Sequence, residues 1–335
     1  VSGHPGIDAI RPRASSLTIE VTSYCSLKCV GCSRTLAKAA GTWQDRHMSA
    51  DLFARICDHL PPLERLTLHG IGEPTLNPDY PSIVAMAAST GRFKVIGANS
   101  HAMARTPDYY RRLIDLGLNE LYVSVDSLTQ EVADRTRTGT RVNLLRRRLE
   151  SFAAMRLPVF ITLVASRFNL HDISNTLETL NRIGAFPVSV QEFVDLGRPD
   201  GCLLAGDRQV LGAMLDTGES RWPHLSISRT LSLATNWAAP SICSDPWSGF
   251  GVTVDGYLTP CCLMWDPAAL GYLNLGTLSL EAALESPAYR SFLSTYLSAA
   301  PSFCDGCQKN TREVETKFIQ LMRHPAAPAL EISHR

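Results

Sequence analysis

Short runs rich in β-branched and aromatic residues alternate with longer amphipathic stretches along the first two-thirds of the chain. The short runs predict strands over Leu17–Thr22, Arg65–Gly70, Phe93–Ala98, Leu121–Val125, Val159–Ala165 and Val188–Phe193. Between them the helical period predicts helices over Ala50–Leu60, Tyr80–Thr90, Pro107–Leu116, Thr129–Arg137, Val142–Met155 and His171–Ile183. Strands that alternate with helices imply parallel strands joined by crossover helices, and such folds bind their ligands at the carboxyl ends of the strands. From about Gly197 to Asn236 the alternation weakens. A helix over Asp207–Leu215 is expected there, then an irregular stretch that would cover the mouth of the strands. Further on, Gly251–Pro260 reads as a β-hairpin turning at Asp255-Gly256, and Leu280–Glu285 as a helix.

Composition narrows the class without changing this outline. The 335 residues allow one large domain and a smaller one. Hydrophobic residues make up 45% and charged residues 19%, as in an ordinary globular protein. Lys plus Arg equals Asp plus Glu, 32 each, which argues against an electrostatic nucleic-acid binder. The run Arg146-Arg147-Arg148 fans around a helix and reads as a solvated face. No apolar run reaches the length of a membrane span, and Val1–Ser16 has no apolar core of signal-peptide type, so a cytoplasmic protein is expected. Ten cysteines in such a chain point to metal or redox chemistry in a reducing compartment rather than to a disulfide framework.

Their spacing sharpens this. Cys25, Cys29 and Cys32 lie on one short loop directly after the first predicted strand, at its carboxyl end. Three thiolates hold three corners of a metal cluster and leave one metal position open for a small molecule to bind and accept an electron. A second set, Cys243, Cys261, Cys304 and Cys307, supplies four thiolates, enough to enclose a zinc ion or an iron–sulfur cluster; spacing alone favours zinc. Cys262 sits beside one of these, while Cys57 falls on a helix as a core residue and Cys202 in a Gly-rich loop. The second strand runs into His69-Gly70-Ile71-Gly72-Glu73-Pro74, where glycines permit close backbone approach and a carboxylate suits an ammonium group. Ser124 and Asp126 share a strand face, with Arg135 and Arg137 downstream.

The C-x3-C-x2-C loop resembles the cluster-binding loop of the radical S-adenosylmethionine (SAM) superfamily. Gly31 stands where that family usually has an aromatic residue. The resemblance implies a partial (β/α)6 TIM-type barrel and a 4Fe-4S cluster on Cys25, Cys29 and Cys32 whose unique iron chelates SAM. Reductive cleavage of SAM then gives a 5′-deoxyadenosyl radical that takes a hydrogen atom from substrate. By the same resemblance Glu73 would contact the SAM amino group, with Gly70 and Gly72 shaping its turn. Asn99 would face the SAM site, and Ser124, Asp126 and Arg137 would belong to the segment holding the SAM carboxylate or ribose, Arg135 being the competing arginine.

Residues 241–312 resemble the twitch domain, a short relative of the SPASM domain built from a β-hairpin and a helix. This implies a second 4Fe-4S cluster on Cys243, Cys261, Cys304 and Cys307. The division implied is a radical SAM partial barrel over 14–200, a linker or cover segment over 201–240, the twitch domain over 241–312 and a tail over 313–335. The four-cysteine spacing looks most like that of aminocyclitol dehydrogenases. A carbohydrate-like, aminoglycoside-related substrate is therefore expected, with oxidation of a carbinol to a ketone, the auxiliary cluster as electron acceptor and a flavodoxin or ferredoxin as electron donor. Two alternatives stand beside it: an epimerase in which Cys262 returns a hydrogen atom, Cys262 otherwise being a spare thiol, and a peptide-modifying enzyme. Zinc at both cysteine groups, in a binding protein, is the non-enzymatic reading.

Overall fold

The computed structural model describes residues 12–195, 197–230, 243 and 245–298. The strands are β1 (Ser16–Ile19), β2 (Lys28–Cys29), β3 (Leu63–Thr67), β4 (Phe93–Ser100), β5 (Glu120–Ser124), β6 (Arg137–Thr138), β7 (Val159–Ala165), β8 (Phe186–Glu192), β9 (Leu225–Thr230), β10 (Gly249–Val252) and β11 (Leu258–Thr259). The helices are α1 (Ser33–Ala39), α2 (Ala50–Asp58), α3 (Tyr80–Ser89), α4 (Pro107–Asp115), α5 (Gln130–Thr136), α6 (Val142–Ala154), α7 (Ile173–Ile183), α8 (Ala205–Asp216), α9 (Gly218–Arg221), α10 (Asp245–Ser248), α11 (Leu280–Glu285) and α12 (Pro287–Ser298). Among the described residues no helix is long and apolar enough to cross a membrane.

Nine strands form one sheet in the order β11-β10-β1-β3-β4-β5-β7-β8-β9, and only the β10–β11 pair is antiparallel. The mixed α/β architecture with its parallel strands is that of a partial TIM-type barrel. Its core follows from alternation. Leu17 and Ile19 of β1, Leu121 and Val123 of β5, and Ile161, Leu163 and Ala165 of β7 are buried on the same side of their strands. Helix starts are where their signals place them: the Ser49 hydroxyl accepts from the Leu52 N–H at α2, the Ser279 hydroxyl accepts from the Ala282 N–H at α11, and Pro107 opens α4.

The structure departs from the expected outline at both edges of the sheet. The stretch after Asp207–Leu215, read as an irregular cover, instead carries β9, which pairs in parallel with β8 from Phe186↔Leu225 to Gln191↔Thr230. Its alternating Leu225, Ile227 and Arg229 carry too little apolar residue to stand out in a sequence reading, and the edge of the sheet supplies the ladder that stabilises them. At the other edge the hairpin joins the sheet. Its strand β10 pairs in parallel with β1, Ser16↔Gly249 to Ile19↔Val252, so the auxiliary region grows out of the barrel sheet. The Asp255-Gly256 turn is present, with Gly256 at φ 88°. The expected ligands Cys304 and Cys307 and the tail 313–335 lie outside the described residues.

Glu20 ties these parts together. It follows β1 and is 4% exposed. Its Oε1 accepts from the Ile71 N–H at 3.1 Å, beyond β3, and its Oε2 accepts from the Val254 N–H at 3.1 Å, in the hairpin turn. Burial pushes the Glu20 carboxyl up to about 7, against the lowering effect of the two N–H donors. An acid whose folded value lies above its unfolded value binds its proton more tightly when folded. Its contribution to stability is complete below the unfolded value and is lost as pH rises through about 7. Between pH 5.5 and pH 8 this loss is on the order of 2 kcal/mol. Urea midpoints of wild type and Glu20→Gln, measured at both pH values, are expected to diverge by that amount; parallel pH dependence in the two proteins would refute the assignment.

Candidate functional site

The three-cysteine loop leaves β1 at the carboxyl edge of the sheet and is held by its backbone. Arg34, 3% exposed, sends Nε to the Ser23 carbonyl at 3.1 Å and Nη1 to the Leu27 carbonyl at 3.2 Å, and pairs with Asp45 at 3.3 Å. The Trp43 indole N–H also donates to the Ser23 carbonyl, and the Ser23 hydroxyl donates to that of Gln44. A guanidinium buried among carbonyls has its donors satisfied and locks the loop it spans. Gly31 adopts φ 71°, and a Cβ there would lie 2.4 Å from the Phe193 ring. The aromatic side chain beside the third cysteine thus comes from the segment after β8 rather than from position 31.

The cysteine loop pairs antiparallel with β6, and the register sets Cys29 opposite Arg137. Burial pushes the Cys29 thiol up to about 11, opposed by the Arg137 charge, while Cys32, Asp126 and Cys25 push it further up. Burial also raises the Cys25 thiol, opposed by the Leu27 N–H, which donates to its Sγ. Burial works against the Arg137 charge as well, but the negative groups around it, led by Cys29 and Asp126 and then Cys25 and Cys32, raise its pKa on balance. Three half-buried thiols grouped around one cation are suited to an iron–sulfur cluster: loading releases their protons, and the guanidinium offsets the thiolate charge. Among the described residues no three His, Cys, Asp or Glu side chains are gathered tightly enough to clasp a single ion. A cubane takes each thiolate on a different iron and so spans a wider set.

The two candidate arginines are placed differently. Arg135 is exposed on α5, and Arg137 is the one beside the thiols. Asp126, 8% exposed, lies 3.7 Å from Arg137 and accepts from the Val164 N–H, so it orients the arginine and ties β5 to β7. Burial raises the Asp126 carboxyl, with Arg137 opposing. Ser124 ends β5 half-buried, and Asn99 is half-buried near the end of β4; neither makes a side-chain hydrogen bond among the described residues.

Glu73 is 2% exposed. Its Oε1 accepts from the Thr75 N–H, the Thr75 hydroxyl at 2.6 Å and the Ser100 hydroxyl at 2.7 Å, and its Oε2 accepts from the His101 N–H at 2.8 Å. Two carboxylate oxygens offer about four acceptor sites; Oε2 has one hydrogen bond and the His101 Nε2 3.5 Å away, and so is the less occupied of the two. His101 continues the chain of contacts, with Nε2 3.1 Å from the Ser26 hydroxyl in the cysteine loop. The residue of β4 that reaches this network is Ser100, one position beyond the expected Asn99, because successive side chains point to opposite faces. The glycines before Glu73 leave no room for a side chain. A Cβ on Gly70 would lie 2.4 Å from the Glu20 side chain, and one on Gly72 would lie 2.2 Å from the Thr22 carbonyl oxygen. The Glu73 N–H donates to the Tyr24 carbonyl across the same contact.

Other polar residues at strand ends are spoken for. The Asn169 amide donates to the Asp126 and Val164 carbonyls, and Glu192 pairs with Arg208. His69 is held neutral by burial, which drives its pKa down to about 4, and its Nδ1 is buried with no hydrogen-bond partner among the described residues. In the auxiliary region the Cys243 Sγ accepts from the Asp245 N–H at 3.4 Å and the Cys261 Sγ accepts from the Met264 N–H at 3.3 Å. Burial pushes the Cys261 thiol up to about 12. Cys262 is half-buried beside it. Arg34, Ser100, His101 and Glu20 were not singled out from the sequence. Glu20 had a visible signal, a carboxylate between the apolar Ile19 and Val21 at the end of a predicted strand.

Comparison with known proteins agrees with this geometry. The Radical SAM superfamily model matches residues 19–180, and a second model, an iron-sulfur cluster-binding domain named SPASM, matches residues 243–308. The chain is similar to a PqqA peptide cyclase of Methylorubrum extorquens, 23% identical over 322 residues that cover 92% of this chain and 80% of that protein. It is also similar to the mycofactocin maturase MftC of Mycobacterium tuberculosis, 29% identical over 175 residues, 50% of this chain and 42% of the other. In fold it matches Streptococcus suis SuiB bound to S-adenosylmethionine, with a TM-score of 0.68 at 15% identity, covering 90% of this chain and 73% of that one.

The Gly72 contact yields a direct test. Gly72→Ala drives a methyl group into the backbone carbonyl of Thr22 and is expected to cost about 1–3 kcal/mol. Gly206→Ala, in the first turn of α8 with nothing within 4 Å, is expected to be neutral or to stabilise by up to about 1 kcal/mol. Equal urea midpoints for the two variants would show that the turn does not pack as described.

Proposed function

Because the chain carries a radical SAM domain followed by a SPASM iron–sulfur domain, we propose that it is a radical SAM enzyme that removes hydrogen from a peptide substrate. The cofactors of these two domains are SAM with a 4Fe-4S cluster, and further iron–sulfur. The observation that carries the reading is the grouping of Cys25, Cys29 and Cys32 around Arg137 at the carboxyl edge of a parallel sheet, with the Glu73 turn against the same loop. Cys25, Cys29 and Cys32 would hold the cluster, which would supply the electron for reductive cleavage of SAM. The protein's own part is to bury and position. Arg34 fixes the loop, Arg137 offsets the thiolate charge, and Glu73 keeps one acceptor oxygen for the SAM ammonium. Ser124 and Asn99, with no side-chain bonds of their own among the described residues, are assigned to the SAM ribose or carboxylate. Cys243 and Cys261, with Cys304 and Cys307 beyond the described residues, are assigned to one auxiliary 4Fe-4S cluster.

The peptide class is supported by relatives that match over most of this chain's length: a PqqA peptide cyclase, and SuiB, which has been crystallised with its precursor peptide SuiA. The carbohydrate-like substrate expected from the four-cysteine spacing has no comparable support, so the peptide alternative takes its place. A cyclase-like reaction leaves the product two hydrogens lighter. Under this reading Cys262 takes no part, because an oxidised product receives no hydrogen atom back. A flavodoxin or ferredoxin remains the proposed electron donor.

Anaerobically reconstituted protein is expected to bind about eight irons per chain. The triple variant Cys25→Ala, Cys29→Ala, Cys32→Ala should lose about half of that iron and all 5′-deoxyadenosine formation; SAM cleavage at the wild-type rate by this variant would remove the assignment. Screened against peptide and aminoglycoside panels, the wild type should yield 5′-deoxyadenosine coupled to a peptide two hydrogens lighter. A mass-unchanged aminoglycoside bearing solvent deuterium would instead establish the epimerase.

Glu73→Gln tests the SAM contact separately. Losing one charge-assisted hydrogen bond, worth about 1.5–3 kcal/mol, should weaken SAM binding roughly tenfold or more while iron content is kept. An unchanged dissociation constant would confine Glu73 to holding its turn.

A further inference from the structure

On the flank of the barrel, between the connection leading into α4 and the start of α6, lies an open cavity of about 640 Å³. Three arginines line it, Arg105, Arg141 and Arg148, together with Met103, Thr106 and Tyr109, and no carboxylate does. The Arg105 guanidinium stands 5.3 Å over the Tyr109 ring and its Nε donates to the Thr75 carbonyl. The Nε of Arg148 is buried and has no hydrogen-bond partner among the described residues. None of the three arginines makes an ion pair among the described residues, whereas Arg137, Arg198 and Arg208 each face a carboxylate. The run Arg146-Arg147-Arg148 is therefore not uniformly a solvated face, since its last member turns into this cavity.

Positive charge held together without counterions, one donor of it desolvated, is an arrangement that an oxyanion relieves. The volume lies in the range that takes a ligand or a peptide side chain. The position connects the cavity to the candidate site. Arg141 lies four residues beyond Arg137, so their Cα atoms are no more than about 14 Å apart. The Arg141 N–H donates to the Met103 sulfur on the cavity wall. On the other side, His101 of the same connection as Met103 and Arg105 bonds Ser26 in the cysteine loop. A ligand group in the cavity is thus anchored to the two segments that flank the thiols.

We propose that this cavity is an anion subsite that receives a carboxylate of the substrate peptide, an acidic side chain or its C-terminus, and so registers the peptide against the radical site. The proposal rests on the peptide reading of the function. Arg105 and Arg148 supply fork-shaped donors from opposite walls, and Arg141, exposed at the rim, steers the charge inward.

The test uses the full-length, cluster-loaded protein and the double variant Arg141→Gln/Arg148→Gln, neither of whose side chains makes a hydrogen bond or an ion pair among the described residues. Iron content and SAM affinity confirm that the variant is folded. Calorimetry measures binding of an end-capped Ala-Glu-Ala-Glu-Ala peptide, its Gln counterpart and inorganic phosphate. The acidic peptide should bind wild type, the Gln peptide at least tenfold more weakly, and the double variant should lose about tenfold or more in affinity for the acidic peptide alone. Equal binding of the two peptides, or equal binding by the two proteins, overturns the subsite. Phosphate binding that needs the arginines, without acidic-peptide binding, overturns the peptide carboxylate and assigns the cavity to a phosphate group. Turnover separates this from the underlying reading. A peptide processed with the same KM by both proteins ends the subsite and leaves the peptide function standing. A non-peptide anion processed only when the arginines are present ends the peptide function and leaves the cavity as an anion site.

Discussion

Negative charge is costly to bury without a counterion, and the first-domain site is arranged around that constraint. Three thiols must lose their protons to hold iron, yet burial makes each proton harder to lose, which pushes Cys29 up to about 11. Arg137 is the fixed charge that opposes this. It is placed by a two-residue ladder that sets it across from Cys29, and by Asp126, which itself joins β5 to β7. The arginine therefore belongs equally to the cluster loop and to the sheet, and the geometry of one is imposed on the other.

A second buried ionisable group, Glu20, performs a similar coupling where the loop begins. Its two oxygens take N–H donors from the turn after β3 and from the auxiliary hairpin. Since β10 also pairs with β1, and Arg46 reaches Asp255 at 2.6 Å, the auxiliary region is fastened to the strand that launches the cysteine loop. A redox group held in that region would be carried on the same sheet as the three-cysteine loop. This matters for any reaction in which an electron must leave the substrate.

The arginine-lined cavity is compatible with the proposed peptide substrate on chemical grounds. The cavity is open, which suits one side chain of an extended chain better than a buried small molecule. It also lies on the segment that continues from Arg137. On the proposed function, the groups around the thiols would choose the hydrogen that is abstracted, and the cationic cavity beside them would hold another part of the substrate.

The alternation of strand and helix, the carboxyl-end position of the cysteine loop and the C-x3-C-x2-C spacing were all legible in the residues, because they depend on local periodicity and on neighbours in sequence. So was the Asp255-Gly256 turn, which needs only a residue that tolerates positive φ. What lay beyond reach depended on partners distant in the chain. Arg137 and Arg135 are indistinguishable until the β6 ladder sets one of them opposite Cys29. That Gly70 and Gly72 must be glycine for packing was visible only once the Glu20–Tyr24 segment was seen against them. The missing aromatic at Gly31 is supplied by Phe193, and the strand β9 exists because β8 offers it an edge. Local sequence thus determined which chemistry the chain can carry, and the tertiary structure decided which side chains stand close enough to perform it, because charge compensation and close packing act through space rather than along the chain.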